Sequence, residues 1–253
     1  MGTLYSRCIG SIMSKGKYIF ALDNDDMFFD EDIFDFIYKK AEEKNYDIVG
    51  FKSVYIQNYK DNITKMRDGY FSNHPDNLVL YQPKLGIYPI SRNGRYVPND
   101  YTIWAKCIRT EVYIKAINTL EFKRYSSFLS WGEDTSIVFI IFNIAKSFKF
   151  IHKYGIIHLR SFSTSTFTQP INNILFGEIF LLEIIFDFSK NNTSKNFAAS
   201  HALYIYRRYK LNMAIKDKNI LYLKNVLTKL LNCKYISEIY KKKINEKYKL
   251  LIS

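Results

Sequence analysis

Apolar and polar positions near the start of the chain follow the periods of strands and helices in turn. Residues 18–22 form a continuous apolar run, which is typical of a strand buried on both faces in a mostly parallel sheet. In residues 31–44 apolar side chains recur at steps of three and four, which predicts an amphipathic helix. Residues 47–55 are apolar and β-branched and predict another strand. This order indicates an α/β fold.

The middle of the chain is less regular. Residues 58–100 are polar and contain several turn signals, which predicts loops and short strands. A short strand is expected at residues 104–108. Thr110 is placed to cap a following helix, and the buried side of that helix is predicted to contain Tyr113, Ala116, Ile117 and Leu120.

The remainder of the chain becomes helical. Residues 137–147 are apolar nearly all round, which predicts a buried helix, and residues 148–159 predict short strands around Gly155. From Asn172 a helical period continues to the end, with a break near residues 191–192. We therefore expect a domain boundary at residues 169–170.

Charge separates the same two regions. The formal net charge is +13, but residues 1–188 contain 22 Lys and Arg against 21 Asp and Glu. From Ser189 onward there are 15 Lys and Arg against three Asp and Glu. A region this basic attracts phosphate-bearing partners such as anionic lipid or nucleic acid, although a solvated face of surface helices explains it equally well.

Cysteine usage and hydropathy bear on the compartment. Cys8, Cys107 and Cys233 lie far apart without a CxxC spacing, which argues against a disulfide framework or a zinc site and favours a reducing compartment. Met1 is not followed by a signal-peptide pattern, and no apolar run reaches about 18 residues. The expected location is the cytoplasm, with peripheral membrane contact through the basic region as an addition.

Three carboxylates follow the first apolar run within four residues. Asp23, Asp25 and Asp26 come directly after a predicted strand, at the kind of sheet edge where ligands of open α/β sheets bind. Such close carboxylates repel one another unless a cation neutralises them. Oxygen ligands favour Mg²⁺ or Mn²⁺ shared with substrate phosphates. The alternative is a solvated acidic helix start.

The residues around this acidic turn resemble a known family. Residues 2–7, 14–19 and 22–26 are similar, in order and spacing, to the central signature of family 2 glycosyltransferases with the GT-A fold. The resemblance implies a partial GT-A, Rossmann-like mixed sheet with flanking helices in residues 1–169, and the helical period and positive charge predict a basic helical extension in residues 170–253. It also implies donor binding by Arg7, Asp23 and Asp25, and a divalent metal, Mn²⁺ or Mg²⁺, on Asp25 and Asp26.

Further stretches carry the same resemblance. Residues 104–113 are similar to the strand and helix on the acceptor side of the family. Residues 131–134 resemble its Glu-Asp motif, which implies that Asp134, beside Glu133, is the catalytic base of an inverting transfer. A sugar hydroxyl needs such a base, because it must lose its proton as it attacks the anomeric carbon. Simple helix capping is the alternative for this pair.

A late His and Arg complete the candidate site. His158 and Arg160 lie where many members of the family carry a His or aromatic residue followed by an Arg. His158 is therefore a candidate third metal ligand, and Arg160 is a candidate contact for the donor diphosphate. His152 is near in sequence, and a histidine beside a strand is more often structural.

The sequence also departs from the family. Members normally carry an upstream half that cradles the base and uridine, and this chain begins inside the helix before the acidic turn. We expect the strand before the turn to have an exposed edge. The chain alone is expected to bind nucleotide-sugar poorly or not at all.

Two other readings of the function stay open. A phosphatase of the haloacid dehalogenase type also places Asp-x-Asp after an apolar strand, although Met27 stands where it usually has Thr or Val. A basic binding protein would use Arg207, Arg208, Lys210 and the run at residues 241–243. Tyr204, Tyr206 and Tyr209 flank the two arginines and suit stacking on single-stranded nucleic acid, although aromatic residues in a helix are more often core. The favoured reading is a metal-dependent transferase that uses a UDP-sugar donor and a saccharide, lipid or protein hydroxyl as acceptor, without nucleic acid.

Overall fold

The computed structural model describes residues 2–59, 62–68, 74–82, 89–92, 95–98, 102–120, 129, 131–160, 170–189, 192–209 and 217–249. Within these residues the helices are α1 Thr3–Met13, α2 Ile33–Glu42, α3 Thr110–Leu120, α4 Glu133–Ile144, α5 Ile171–Phe188, α6 Asn192–Tyr209, α7 Asp217–Asn232 and α8 Glu238–Lys247. The strands are β1 Tyr18–Phe20, β2 Met27–Phe28, β3 Ile48–Tyr59, β4 Asn62–Asp68, β5 Val79–Tyr81, β6 Pro89–Arg92, β7 Arg95–Pro98, β8 Lys106–Arg109 and β9 Ser147–Arg160.

A mixed sheet organises the fold, as the family resemblance implies and in contrast to the mostly parallel sheet that the apolar run at residues 18–22 suggests. Its strands lie in the order β1-β8-β3-β9-β2, with β4 paired to β3 and β5 paired to β9. Among the described strands, β3 and β9 pair in parallel and the other pairs are antiparallel. The prediction of a mostly parallel sheet is therefore wrong, because an apolar run reports burial and contains no information about the direction of the neighbouring strand.

The strand before the acidic turn is shorter and less enclosed than its apolar run predicts. β1 covers three residues, pairs antiparallel with β8 and ends the row of strands in the described part of the chain. Tyr18 is buried, whereas Ile19 and Phe20 are half-buried. The prediction of burial on both faces is thus wrong beyond Tyr18. β1 lies at the end of the sheet, where its far side has no described strand to cover it.

Residues 147–160 form one continuous strand rather than the predicted short strands around Gly155. The strand runs through Gly155, and its register against β3 shifts between Phe51 and Ser53. A Cβ at Gly155 would overlap the ring carbons Cδ2 and Cε2 of the fully buried Phe51. Glycine is therefore present for close packing and not to break the strand.

We expect Gly155→Ala to destabilise the protein by about 2 kcal/mol, because a methyl group must be forced into a filled core against Phe51. Urea unfolding followed by circular dichroism measures this change. Gly10→Ala is the control, since a Cβ at Gly10 has no neighbour within 4 Å on the exposed side of α1. The control is expected to be slightly stabilised. Equal stability of both variants would contradict the packing argument.

The helices on the sheet follow the predicted periodicity closely. The predicted buried side of α3 is confirmed at all four positions, since Tyr113, Ala116, Ile117 and Leu120 are buried. Thr110 does not cap this helix. Its hydroxyl donates to the carbonyl of Gly16 at 2.6 Å and so joins α3 to the loop before β1. α4 begins at Glu133, earlier than predicted, and ends before Ser147, which starts β9.

The helical region packs directly on the α/β part. α5 ends at Phe188 and α6 begins at Asn192, close to the break predicted near residues 191–192. Leu182 of α5 and Leu227 of α7 belong to the same buried hydrophobic cluster as Ile141 of α4. The proposed boundary at residues 169–170 stays a prediction. No helix in the described ranges has both the length and the apolar content to cross a membrane.

Candidate functional site

The acidic turn is fixed between two strands that pair with different neighbours. β1 pairs with β8, and β2 pairs with β9. Between them the backbone N–H of Asp26 donates to the carbonyl of Asp23 at 3.1 Å and closes the turn. The turn leaves Asp25 exposed, whereas the side chain of Asp26 is fully buried. The predicted carboxylates therefore lie in different environments.

Asp26 lies directly against His158. Because Met27 is opposite Ile157 in the β2–β9 pair, His158 projects beside the turn. Its Nδ1 lies 2.8 Å from Oδ1 and 3.0 Å from Oδ2 of Asp26. The indole of Trp104 stacks on the imidazole, with ring centres 5.2 Å apart and planes 14° apart. Two of the three predicted metal ligands are thus adjacent.

Arg7 gathers the acidic turn and the start of α4. Its guanidinium donates to Asp23 Oδ1 at 2.5 Å and to Glu133 Oε1 at 3.1 Å, and it is ion-paired with Asp134 as well. The Arg7 side chain is only 15% exposed, so these charge-assisted contacts are shielded from water. Residues predicted from two separate motifs therefore meet on one side chain of α1.

Glu133 and Asp134 occupy the first turn of α4. Gly132 precedes them with a φ of 75°, and acidic residues at this end interact favourably with the helix dipole. The capping alternative thus explains their place on the helix but not their convergence on Arg7. Burial raises the pKa of the Glu133 carboxyl, and the positive charge of Arg7 partly opposes that rise.

We expect Glu133→Gln to gain stability relative to the native protein as the pH rises. The raised pKa means that ionised Glu133 costs folding free energy, and this cost develops as the pH increases from the ordinary pKa of about 4.5 through the folded value. The glutamine does not titrate. Free energies of unfolding measured for both proteins between pH 4 and 8 test this. A difference that stays constant or shrinks with pH would contradict the burial effect.

The comparisons with known proteins address the fold. No protein family model matches the chain, and no curated protein matches its sequence. Among solved structures, the chain is similar to residues 1–349 of S. aureus TarS, a family 2 glycosyltransferase, in complex with UDP-GlcNAc. The TM-score is 0.58 at 10% identity, and the match covers 99% of this chain and 71% of TarS 1–349. The chain has a GT-A-like glycosyltransferase fold. The expectation of a missing upstream half stays a prediction.

The side chains at the acidic turn of this GT-A-like fold are suitable ligands for a hard divalent cation. Mg²⁺ is commonly held by one or two carboxylates together with substrate phosphates, so it needs no complete protein cage. Asp26 and His158 are in contact, and Asp25 is exposed on the same turn. Within the described residues no three His, Cys, Asp or Glu side chains form a metal-holding group by themselves. The arrangement fits a cation whose remaining coordination positions are filled by a bound ligand.

Other candidates lie elsewhere. The side chain of Arg160 is outside the described residues, so its predicted role stays a prediction. His152 contacts the loop before β5 instead of the turn, since its backbone N–H donates to Asp76 and its Nε2 lies 2.5 Å from the carbonyl of His74. Tyr206 packs edge-on against Tyr248 in the helical region, which is a core contact and not a stacking platform for bases.

Sequence reasoning missed two contributors to this region. The stacking of Trp104 on His158 joins residues from β9 and from the segment before β8, and nothing in the spacing of the two residues predicts it. Glu178 accepts a hydrogen bond from Trp131 Nε1 at 3.2 Å, although it lies on α5 in the predicted second domain. A Glu with apolar residues on both sides in a largely apolar helix is the signal that points to such a partner.

Proposed function

We propose that this chain is a glycosyltransferase that takes its sugar from a nucleotide-sugar donor. The observation that carries the proposal is the joint contact of Arg7 with Asp23 and with Glu133 and Asp134. A donor-binding turn and a base must lie side by side for transfer to an acceptor. The UDP-GlcNAc present in the TarS structure of the same fold supports a UDP-sugar as the donor class.

Each residue of the site has a chemical role in this proposal. Asp23 accepts hydrogen bonds from the nucleoside, and Arg7 and Arg160 contribute positive charge to donor binding. Asp26 and His158, with Asp25, would hold Mn²⁺ or Mg²⁺, and the cation would supply positive charge that neutralises the diphosphate leaving group. Asp134 takes the proton of the acceptor hydroxyl as its oxygen bonds to the anomeric carbon and the bond to the diphosphate breaks. Attack from the face opposite the leaving group inverts the configuration.

The acceptor in this proposal is a hydroxyl of a saccharide, a lipid or a protein. The basic helical region supports a peripheral position at an anionic membrane surface, where a lipid-linked acceptor would be presented. Lys242 and Lys243 of α8 are exposed, as such docking requires. Nucleic acid is not favoured as a partner, because Tyr206, which lies beside Arg207 in sequence, packs against Tyr248 within the helical region.

Ligand-observed saturation-transfer NMR with UDP-GlcNAc tests the donor proposal. We expect saturation transfer in the presence of Mg²⁺ and its loss in EDTA, with a dissociation constant above the micromolar range because the chain is expected to bind donor weakly. Asp26→Asn is expected to abolish the Mg²⁺ dependence, since it removes a buried carboxylate beside His158.

Asp35→Asn is the matched control, because Asp35 is exposed on α2 and pairs with Lys39 there. This variant is expected to behave like the native chain. Absence of saturation transfer from UDP-GlcNAc at millimolar concentration, with and without Mg²⁺, would overturn the proposal. Hydrolysis of a generic aryl phosphate by the native chain would instead favour the phosphatase reading.

A further inference from the structure

The turn before α4 lies directly on α5 through two glycines. Gly132 has a left-handed φ of 75°, and a Cβ there would lie 3.1 Å from the carbonyl oxygen of Gly177. A Cβ at Gly177 would in turn overlap the carbonyl oxygen of Trp131. Both positions therefore require glycine, one for conformation and close approach and the other for close approach alone.

A buried carboxylate beside these glycines ties the same turn to α5 and α6. Glu178 Oε1 accepts the indole N–H of Trp131 at 3.2 Å, and its Oε2 lies 3.1 Å from Nε2 of His201. The Glu178 side chain is 8% exposed, and a carboxylate so removed from water is costly unless its oxygens have polar partners. Its contacts thus hold Trp131 at a defined place on α5.

We propose that Glu178 is a positioning residue, which acts through Trp131 and the Gly132 turn to hold Glu133 and Asp134 against Arg7. Its catalytic meaning rests on the proposed glycosyl transfer, whereas the positioning itself does not. The helical region would then complete the candidate site and not merely follow the α/β domain. A displacement of about 1 Å at a reacting group can cost about 10²-fold in rate.

Glu178→Gln tests this proposal, with Glu183→Gln as the matched control. Glu183 is also on α5, but its carboxylate accepts from Tyr222 and pairs with Lys229 of α7. Both variants lose one charged contact of α5 with a neighbouring helix. If Glu178 only stabilises the packing of α5, as Glu183 does, the two variants should behave alike. Both should have a lower thermal midpoint of unfolding, and the start of α4 should keep its native structure.

Two readouts separate positioning from packing. In ¹H–¹⁵N NMR spectra we expect the backbone amides of Glu133 and Asp134 to shift in Glu178→Gln and to stay in place in Glu183→Gln. Turnover of UDP-GlcNAc by water is expected to fall about tenfold to hundredfold in Glu178→Gln, with the donor KM within about twofold. Trp131→Phe removes the indole donor and should reproduce both effects if the glutamine variant does not fold.

The outcomes distinguish the two proposals. Unmoved amides of Glu133 and Asp134 in both Glu178→Gln and Trp131→Phe would overturn the positioning role, whatever the turnover. Shifted amides in a protein whose native form neither binds nor turns over UDP-GlcNAc would overturn the glycosyltransferase function and uphold the positioning. Shifted amides with a reduced kcat support both.

Discussion

Asp134→Asn is expected to reduce turnover of UDP-GlcNAc by about 10³-fold without weakening donor binding. General-base catalysis typically contributes 10²- to 10⁴-fold, and an amide cannot accept the proton of the attacking hydroxyl. Asp134 is ion-paired with Arg7 at the start of α4, so the isosteric amide preserves the shape of the site. Release of UDP, with water as the acceptor, gives kcat, and saturation-transfer NMR gives donor affinity.

Whether Asp134→Asn changes kcat or the donor KM identifies the role of Asp134. A kcat that falls while the donor KM stays constant indicates an interaction made only in the transition state. Asp35→Asn, which changes an exposed carboxylate on α2, should keep the native kcat. Native turnover in Asp134→Asn would exclude this carboxylate as the base and leave helix capping as its function.

Arg7→Gln is expected to destabilise the protein by about 3 kcal/mol and to abolish donor binding. Removal of one partner from a buried ion pair is strongly destabilising, because the remaining charges stay in the protein without compensation. Here the charges of Asp23, Glu133 and Asp134 lose one shared guanidinium that is 15% exposed. Urea unfolding at pH 7 measures the stability, and saturation-transfer NMR measures the binding.

Arg109→Gln is the matched control for Arg7→Gln. Arg109 is 12% exposed and is paired with Asp47, at the opposite end of β8 from the Trp104 side of the site. This control should also lose stability but should keep its Mg²⁺-dependent binding of UDP-GlcNAc. Arg7 would not be needed to hold the acidic turn and the start of α4 together if Arg7→Gln had native stability. Equal loss of UDP-GlcNAc binding in both variants would contradict this role as well.

Periodicity predicted the type of most elements because burial imposes it locally. The spacing of apolar residues located α2 and the buried side of α3. It failed where a long-range partner decides the outcome. The direction of β1 depends on β8, which is almost 90 residues away, and Gly155 is required by the ring of Phe51 and not by its sequence neighbours.

The features of the candidate site also fall into those that a local sequence motif predicts and those that depend on long-range contacts. Asp23 and Glu133 could be selected from the sequence because the resemblance to family 2 glycosyltransferases lies in short motifs that contain them. Their shared contact with Arg7 could not, because it depends on how α1 packs against the start of α4. Glu178 belongs to no motif, and the stretch that contains Trp104 does not indicate a contact with His158, so only the folded contacts connect these two residues to the site.

Anomalous diffraction from crystals soaked with Mn²⁺ and UDP-GlcNAc tests the central claim most directly. Mn²⁺ scatters anomalously, so its position is found independently of the protein atoms. We expect one peak within coordination distance of Asp26 and His158, with the donor diphosphate on the cation and its sugar facing Asp134. A peak or nucleotide elsewhere, such as the open cavity lined by Lys17 and Arg109, would contradict it.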